Sequence, residues 1–240
     1  MKTHHAGHNP QRESQGPALW ARMAARYDWL VERIVPGAYA FFETCMSFIP
    51  NGPLSLLELG SGTGYATEQI LCRNPDARVT CLDLSEEMLA AAKAKPALRG
   101  IEIAHGDIRD DWPQGRFDVV ISTLCLHHLT PAARRRTHQR AFAALTRNGR
   151  FINGDIFKPP SRWEEILLRN RWLVRLRSGG LSQRQMDDMI AKRRSNMRHF
   201  DTPEEYRASL AAAGFPRVIC PWVCETAAVW VAFKGRITAC

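Results

Sequence analysis

The feature that most constrains this 240-residue chain is a glycine-rich loop placed directly after a short apolar run. The run Leu54 to Leu59 has the length and composition of a buried strand, and Gly60-Ser61-Gly62-Thr63-Gly64 follows it without a break. Alternating glycines let the backbone adopt positive φ angles and approach a ligand closely. Because a helical pattern comes next, the loop is predicted at the carboxyl end of a strand, where open α/β sheets bind ligands.

Further apolar, β-rich runs alternate with helical patterns along the chain. Strands two to five are predicted at Arg78 to Leu82, Ile101 to Ala104, Phe117 to Ser122 and Arg150 to Asn153. A turn at Asn148-Gly149 is predicted to precede the fifth strand. This alternation is typical of a parallel sheet with helices on both faces.

Two final runs, Arg217 to Cys220 and Ala227 to Phe233, have only a short link between them. Such a link favours an antiparallel hairpin at one edge of the sheet, because parallel neighbours need long crossover connections. The sequence therefore predicts a doubly wound, Rossmann-like α/β fold. Its sheet has seven strands, mostly parallel with an antiparallel edge strand, and a helical cap is added to it.

Helical patterns flank the predicted sheet on both sides. We expect a flexible polar tail over residues 1–17 and a single domain over 18–240. Within that domain, 18–50 are expected to form N-terminal lid helices and 158–200 a helical cap insertion. No apolar run approaches the ~18 residues that a membrane helix needs, so no membrane span is predicted.

The cysteine pattern indicates a reducing compartment. The seven cysteines are scattered and odd in number, and they form no Cys-x-x-Cys pair. This pattern fits neither a disulfide framework nor a zinc site. The N-terminus also lacks the apolar segment of a secretory signal. A cytoplasmic location and the absence of a bound metal are therefore expected.

The spacing of the glycines distinguishes a dinucleotide from other nucleotide-like ligands. A dinucleotide fingerprint has Gly or Ala at its sixth position, but Tyr65 stands there in the frame of Gly60, and Thr67 in that of Gly62. Asp83 ends the second strand, where a carboxylate can accept hydrogen bonds from both ribose hydroxyls. Asp107, after the third strand, is placed to meet an adenine amino group. The pattern predicts a nucleotide-like ligand other than NAD or FAD.

Five segments resemble, in order and spacing, the motifs of the class I S-adenosylmethionine-dependent methyltransferase family, in its small-molecule branch. They are Leu57-Glu58-Leu59-Gly60-Ser61-Gly62-Thr63-Gly64, Leu82-Asp83-Leu84-Ser85-Glu86-Glu87-Met88-Leu89, Gly106-Asp107-Ile108, Phe117-Asp118-Val119-Val120 and Asn148-Gly149-Arg150-Phe151. The resemblance covers residues 54–155 and reaches the last helix and hairpin. It implies S-adenosylmethionine as cofactor and S-adenosylhomocysteine as product.

The resemblance also implies which residues surround the cofactor. The methionine moiety is expected along Glu58 and the glycine loop, the ribose on Asp83, and the adenine beside the residues that follow the second and third strands. The full expected set is Tyr27, Glu58, Gly60, Ser61, Gly62, Gly64, Asp83, Leu84, Met88, Asp107, Ile108, Thr123 and Leu124.

Three residues are candidates for catalysis. Methyl transfer is an in-line displacement, in which a base is needed only when the nucleophile must lose a proton. His127 and His128 follow the fourth strand and titrate near neutrality, so either could be that base, although a structural role stays open for both. Tyr27 lies in a segment similar to one that folds over the cofactor in related enzymes. It is expected to contact the methionine carboxylate or the substrate, or to hold a lid shut.

The net charge of +9 is the main guide to the acceptor. The arginines of the predicted cap suit a small-molecule substrate with a carboxylate or phosphate, although a solvated surface is the simpler interpretation. Arg134, Arg135, Arg136 and Arg140 share one predicted helix with His138, which is expected on its surface. The chain is expected to be a monomer or a homodimer.

Three alternative functions stay open at this point. The basic charge favours an RNA or tRNA methyltransferase, but no RNA-binding module is recognisable in the sequence. A non-catalytic S-adenosylmethionine-binding partner subunit would carry the same motifs. An enzyme that modifies the cofactor itself is the third alternative.

Overall fold

A seven-stranded sheet forms the centre of the protein in the computed structural model, which describes residue 24 and residues 26–235. The expected tail over 1–17 lies outside the described residues. In chain order the strands are β1 (Leu54–Leu59), β2 (Ala77–Asp83), β3 (Glu102–His105), β4 (Phe117–Thr123), β5 (Leu145–Ile156), β6 (Arg217–Cys224) and β7 (Ala227–Phe233).

The strand order across the sheet is β3-β2-β1-β4-β5-β7-β6. The first five strands run parallel, whereas β7 is antiparallel to both β5 and β6. The predicted fold class is confirmed, and the hairpin of β6 and β7 forms one edge as expected. The chain changes direction across the sheet between β1 and β4. Ligands of doubly wound folds bind at such a switch point.

Eight α-helices connect and flank the strands among the described residues. They are α1 (Tyr27–Ile34), α2 (Ala38–Ser47), α3 (Tyr65–Arg73), α4 (Glu86–Ala94), α5 (Pro131–Ala144), α6 (Arg162–Ser178), α7 (Gln183–Asn196) and α8 (Pro203–Ala212). Side-chain caps begin several of them, since Ser85, Thr130 and Thr202 each accept a hydrogen bond from a backbone N–H of the first turn. None of the described helices is both long and apolar enough to cross a membrane.

Side chains that alternate along the strands pack into two separate apolar cores. Along β1, Leu56 points into one core while Leu57 and Leu59 point into the other, as the two-residue period of a strand requires. The first core contains Phe41 and the rest of the buried face of α2, and the second contains Tyr206 of α8. Both faces of the sheet are therefore covered by helices, which explains the apolar character of its central strands.

The start of β5 differs from the prediction. Asn148-Gly149 does not form a turn ahead of the strand but lies inside it, because β5 already begins at Leu145. Leu145 pairs with Phe117 and Arg150 with Val119, so the intervening residues bulge out of the ladder. A Cβ at Gly149 would lie 3.0 Å from the Asp118 carbonyl oxygen, so the bulge brings two backbones into close contact.

Helices α6 and α7 form the helical cap, and they pack on α1. Trp172 and Leu176 of α6 share a small apolar core with Leu30 of α1 and with Leu181, which lies between the cap helices. Trp172 thus belongs to this core, whereas Trp163 at the start of α6 is exposed. This contact joins the cap to the first described helix of the chain.

One residue of α5 that was expected on the surface is buried, so that prediction was wrong. His138 has no exposed surface, and its Nδ1 lies 2.8 Å from Ser209 Oγ, with its ring against Tyr206. Burial lowers the pKa of His138 to about 3. Arg134 is also buried and pairs with Asp201 at 2.5 Å. The arginine-rich sequence of α5 did not reveal that one face of this helix packs on α8.

Candidate active site

The glycine loop after β1 takes up the conformation that its sequence predicts. Gly60, Gly62 and Gly64 all have positive φ angles, of 69°, 56° and 73°. A Cβ at Gly60 would lie 2.1 Å from Cys125 Sγ, so this glycine is required for packing. At Gly62, by contrast, a Cβ would meet no atom within 4 Å. Gly62 therefore borders open space, where a ligand can approach the backbone.

Asp83 lies beside this open space and is held by backbone donors. Its Oδ2 accepts a hydrogen bond from the Gly62 N–H at 2.8 Å, and its Oδ1 accepts one from the Ser85 N–H, also at 2.8 Å. Burial raises the pKa of Asp83, while these backbone hydrogen bonds lower it in part. Leu84 is 59% exposed, although it directly follows this carboxylate. A carboxylate and an apolar side chain thus stand next to each other at the rim of the site.

Asp107 is engaged by a neighbour that sequence reasoning did not consider. Arg109 donates to both oxygens of the carboxylate through Nε, at 3.0 and 2.8 Å, and through its backbone N–H. Burial alone would raise the pKa of Asp107, but the hydrogen bonds from Arg109 outweigh it and lower the pKa. The carboxylate is therefore fixed in its ionised form. Ile108, beside it, is buried.

Glu58, at the end of β1, is buried beneath the loop and accepts a hydrogen bond from Thr67 Oγ1 at 2.6 Å. Burial raises the pKa of Glu58 to about 7. Ser61, Met88 and Thr123 are buried too. Their contribution to a ligand site therefore comes from backbone groups and small exposed areas. These residues form the floor of the site rather than its rim.

Helix α1 is joined to the glycine loop by a polar cluster that we call the α1 latch, formed by Asp28, Thr63, Glu68 and Lys95. Thr63 Oγ1 donates to Asp28 Oδ1 at 2.6 Å, and Lys95 Nζ donates to Asp28 Oδ2 and Glu68 Oε2, each at 2.6 Å. Four parts of the chain meet in this cluster, since Asp28 belongs to α1, Thr63 to the glycine loop and Glu68 to α3, and Lys95 follows α4. The latch places α1 over the loop.

The latch also positions Tyr27, which precedes Asp28 in the chain. Burial raises the pKa of the Tyr27 hydroxyl, and Cys125, Asp83, Asp28 and Asp155 raise it further, in that order. The hydroxyl is therefore neutral and lies near the carboxyl ends of β2, β4 and β5. In that position it can donate a hydrogen bond to a ligand.

A strained backbone position follows β4. Leu124 has a φ of 53°, which is rare for a residue with a branched apolar side chain, and its N–H donates to the Gly154 carbonyl at 2.8 Å. The turn directs the chain so that Cys125 packs against Gly60 and the short 3₁₀-helix Leu126–His128 lies over the end of β5. Arg134 fixes that segment by donating to the carbonyls of Leu126 and Leu129.

His127 and Asp155 form a hydrogen-bonded dyad at the carboxyl edge of the sheet. His127 Nδ1 lies 2.5 Å from Asp155 Oδ1, and the His127 backbone N–H donates to Asp155 Oδ2 at 3.0 Å. Because an ionised carboxylate can only accept, Nδ1 carries the hydrogen and Nε2 keeps its lone pair. The dyad therefore leaves Nε2 of His127 able to accept a proton.

His128 has a different partner and a different tautomer. The side-chain amide of Asn196, on α7, lies with its nitrogen 3.1 Å from His128 Nδ1. An amide NH₂ can only donate, so Nδ1 accepts and Nε2 carries the hydrogen. Burial lowers the pKa of His128 well below its usual range, and electrostatic interactions with the neighbouring His127 and Lys192 lower it further. His128 is thus a neutral hydrogen-bond donor.

Sequence reasoning missed Asp155 and Lys192. Asp155 is the penultimate residue of β5, and Asp83 is the last residue of β2, so the argument applied to Asp83 could have found it. Lys192 lies on α7, one turn before Asn196, and burial lowers the pKa of its ammonium to about 7. No local motif marks this lysine, because its position depends on how α7 packs over residues 124–129, which we call the post-β4 segment. Within the described residues, no three His, Cys, Asp or Glu side chains are grouped to hold a metal.

The comparisons with known proteins agree with this arrangement. Residues 56–149 match the family model described as "Methyltransferase domain". This part of the chain is similar to that domain. The matched part contains the glycine loop, Asp83, Asp107, His127 and His128, whereas α1, Asp155 and the cap lie outside it.

Two known methyltransferases are each similar to part of the chain. The chain is 38% identical over 72 residues to the malonyl-[acyl-carrier protein] O-methyltransferase of Bacillus anthracis, which is 30% of this chain and 27% of that protein. It is 43% identical over 72 residues to the trans-aconitate 2-methyltransferase of Mycobacterium tuberculosis, again 30% of this chain and 26% of that protein. The matches thus span about a quarter of the relatives' length.

A solved structure extends the likeness to almost the whole chain. The complex of DhpI with SAH superposes with a TM-score of 0.65 at 21% sequence identity, covering 92% of this chain and 96% of that one. At this level of identity the likeness concerns the fold. The chain therefore shares its overall fold with that solved structure.

Proposed function

We propose that the protein binds S-adenosylmethionine and transfers its methyl group to a small-molecule acceptor, with S-adenosylhomocysteine as product. One observation carries the proposal: the glycine loop with its open space at Gly62, the carboxylate of Asp83 and the His127–Asp155 dyad all lie at the carboxyl edge of the sheet. The matched methyltransferase domain and the names of the relatives support the same reaction.

The residues of this edge fit the cofactor's chemical groups. Asp83 offers a carboxylate to the ribose hydroxyls, and the exposed Leu84 offers an apolar surface to the adenine ring. Asp107 and Ile108 lie at the end of the next strand for the adenine edge, and Glu58 lies under the loop that the methionine moiety would follow. Thr123 and Leu124 complete the floor. When bound, S-adenosylmethionine supplies a methyl group activated by its sulfonium.

The chain's own residues then provide alignment and proton transfer. His127 takes the proton of the acceptor's nucleophile at Nε2, and Asp155 orients the ring and stabilises the imidazolium that results. His128 donates a hydrogen bond from Nε2, and the neutral Tyr27 donates one from α1, which lies over the glycine loop. The α1 latch and the cap exclude water and hold the partners in place, which is the main source of rate in such a displacement.

A small molecule is a better acceptor than RNA because many arginines are already engaged. Arg134 pairs with Asp201, Arg140 donates to two backbone carbonyls, and Arg171 and Arg175 both contact Glu225. We propose that residues 18–50 act as a lid and residues 158–200 as a cap. The described cysteines are all free, which supports a cytoplasmic location. The oligomeric state stays a prediction, monomer or homodimer.

Titration calorimetry with S-adenosylhomocysteine tests the proposal. We expect 1:1 binding with a Kd of about 1–100 μM and no binding of NADH. Asp83→Ala should weaken binding about 30-fold or more, since two hydrogen bonds to a charged group are lost. Asp118→Ala is the matched control, because Asp118 also accepts a backbone N–H but starts β4. Absence of binding to the unaltered protein would contradict the proposal.

A further inference from the structure

Helix α6 of the cap has apolar side chains on two opposite faces. Trp172 and Leu176 are buried in the small core that α6 shares with α1. Trp163 precedes Trp172 by nine residues, which is about two and a half helical turns, so the two indoles point in opposite directions. Trp163 is accordingly 70% exposed. The fold therefore buries one apolar face of α6 and leaves the other exposed.

The exposed face carries a stripe of large apolar side chains, which we call the α6 stripe: Trp163, Ile166, Leu167 and Val174. The last three follow the first by three, four and eleven residues, the spacings of a single helix face, and are 47%, 45% and 58% exposed. Asn170 lies among them. Half of the eight large apolar side chains that are exposed in the described residues thus belong to this stripe. At ~1.5 Å per residue the stripe is about 16 Å long.

Arginines border the α6 stripe on both sides. Arg162 and Arg169 are seven residues apart and lie along one side, whereas Arg171 lies along the other. All three are exposed, and the side chain of Arg171 remains so, at 62%, although it contacts Glu225. Helix α6 contains five arginines and two acidic residues, and both acidic residues are in its first turn. The helix therefore presents an apolar surface with positive charge on either side of it.

This combination of groups restricts what can cover the stripe. A second copy of the chain is disfavoured, because two α6 helices that face each other in either direction would bring arginine against arginine. The occupant must instead offer an apolar layer with negative charge beside it. A bilayer that contains anionic lipids offers both, since its phosphates lie directly above its hydrocarbon.

We propose that the α6 stripe docks the cap on an anionic membrane surface. Helix α6 has 17 residues and five arginines, so it lies along the surface rather than across the bilayer. Trp163 then lies at the level of the headgroups, where tryptophan is enriched in membrane proteins. Arg162 and Arg169 reach lipid phosphates while their methylene groups stay at the apolar boundary. The inference goes beyond the proposed function and does not depend on it, because none of these residues is assigned a part in methyl transfer.

Co-sedimentation of the full chain with vesicles tests the inference. One set of vesicles contains phosphatidylcholine alone, and the other contains phosphatidylcholine and phosphatidylglycerol at about 3:1, both in about 0.1 M salt. We expect the partition coefficient to be about tenfold or more higher for the anionic vesicles. Absence of sedimentation with the anionic vesicles, or equal partition into both sets, would overturn the inference.

A matched pair of aromatic substitutions tests the apolar part of the surface. Trp163→Ser should lower the partition coefficient for anionic vesicles about fivefold or more, because an interfacial indole is lost. Tyr39→Ser removes a similarly exposed aromatic ring from α2 and should change the coefficient less than about twofold. If Trp163→Ser fails to fold, Leu167→Ser takes its place.

A matched pair of double substitutions tests the charged part. Arg162→Gln/Arg169→Gln should lower the partition coefficient about tenfold, because two contacts with lipid phosphates are lost. Arg135→Gln/Arg136→Gln removes the same charge from exposed positions of α5 and should have a much smaller effect. Equal losses in the two double variants would reduce the attraction to net charge and would overturn the inference.

Two further measurements distinguish the other occupants. Sedimentation velocity without lipid shows whether the chain forms a dimer, and a dimer that is lost in Trp163→Ser would mean that a second copy covers the stripe. Soluble poly-glutamate serves as the probe for an acidic protein. Binding of this probe that requires Trp163, without binding to anionic vesicles, would indicate a protein partner. Either result would overturn the assignment of the stripe to a membrane.

Discussion

His127 and Asp155 are joined twice, through the ring Nδ1 at 2.5 Å and through the His127 backbone N–H at 3.0 Å. Two acceptor oxygens of one carboxylate thus fix both the ring orientation and the backbone of the 3₁₀-helix that carries it. Because Asp155 is buried, this arrangement is stiff, and it holds the imidazole in the tautomer that a base requires. The dyad is the most specific chemical feature of the site.

Replacing His127 should separate turnover from cofactor binding. We expect His127→Ala to lower kcat for an accepted substrate by about 10²–10⁴, the usual contribution of a positioned base. The Kd of S-adenosylhomocysteine should stay within about twofold, since the ring lies beyond the cofactor loop. Steady-state kinetics and calorimetry on the same preparation give the two values.

The double variant His127→Ala/Asp155→Ala should be hardly slower than His127→Ala, because Asp155 acts through the imidazole. Exposed His105 supplies the control variant His105→Ala, which should leave kcat unchanged. Equal and additive losses from the two dyad substitutions would show that Asp155 has a role of its own. An unchanged kcat in His127→Ala would show that His127 is not the base.

Two glycines in similar conformations distinguish backbone strain from ligand contact. Gly62 and Gly52 both have positive φ angles, of 56° and 86°, and a Cβ would meet no atom within 4 Å at either position. Substitution by Ala should therefore cost about 1–2 kcal/mol of unfolding free energy in both cases. Only Gly62→Ala should also weaken S-adenosylhomocysteine binding, by about tenfold or more. Equal affinity in both variants would place the ligand elsewhere.

The α1 latch should slow the release of the cofactor. Thr63→Val removes the hydroxyl that donates to Asp28 and leaves Lys95 in contact with that carboxylate. We expect S-adenosylhomocysteine to dissociate about fivefold faster, which corresponds to ~1 kcal/mol for one hydrogen bond. Thr146→Val is the matched control, because its hydroxyl donates to Asp118 at the start of β4. Stopped-flow displacement measures both rates, and identical rates would show that α1 does not act as a lid.

The buried carboxyl group of Glu58 should make stability depend on pH. Its pKa rises from the model-compound value of 4.5 to about 7 on folding, so the folded state binds the extra proton between these values. Stability should therefore fall as pH rises from about 4.5 to 7, by up to about 3 kcal/mol. Glu58→Gln keeps an acceptor for Thr67 and lacks this dependence. Urea unfolding measures the free energy of unfolding of both proteins at pH 5 and pH 8. That of Glu58→Gln should increase relative to that of the unaltered protein as the pH rises. A pH-independent difference would contradict the assignment.

The parts of the fold that depend on local patterns could be predicted from the sequence. Strand β1, the break between α1 and α2 near Gly37 and the cap at Thr202 follow from period, glycine and capping residues that lie within a few positions of one another. The bulge in β5 escaped prediction because Asn-Gly usually marks a turn, whereas the neighbouring strand keeps it in the ladder here.

In the candidate site, too, contacts that follow from local patterns could be predicted, whereas contacts that depend on tertiary packing could not. Gly62 and Asp83 lie next to their own strands, so their hydrogen bond could be anticipated from strand order alone. The partners of the two histidines could not, since Asp155 and Asn196 are 28 and 68 residues away from them and reach them through tertiary packing. His138 was misplaced for a related reason, because an arginine-rich helix pattern does not reveal which face packs on α8.

The most direct test of the account is the crystal structure of the protein grown with saturating S-adenosylhomocysteine. In the bound S-adenosylhomocysteine, we expect the ribose hydroxyls within hydrogen-bond distance of Asp83 and the adenine against Leu84. We expect the sulfur to be directed toward the space between Tyr27 and His127. Density for the ligand in that orientation would support the assignment of the methyl donor site and of the base together. Density elsewhere, or none at saturation with the glycine loop unobstructed, would contradict it.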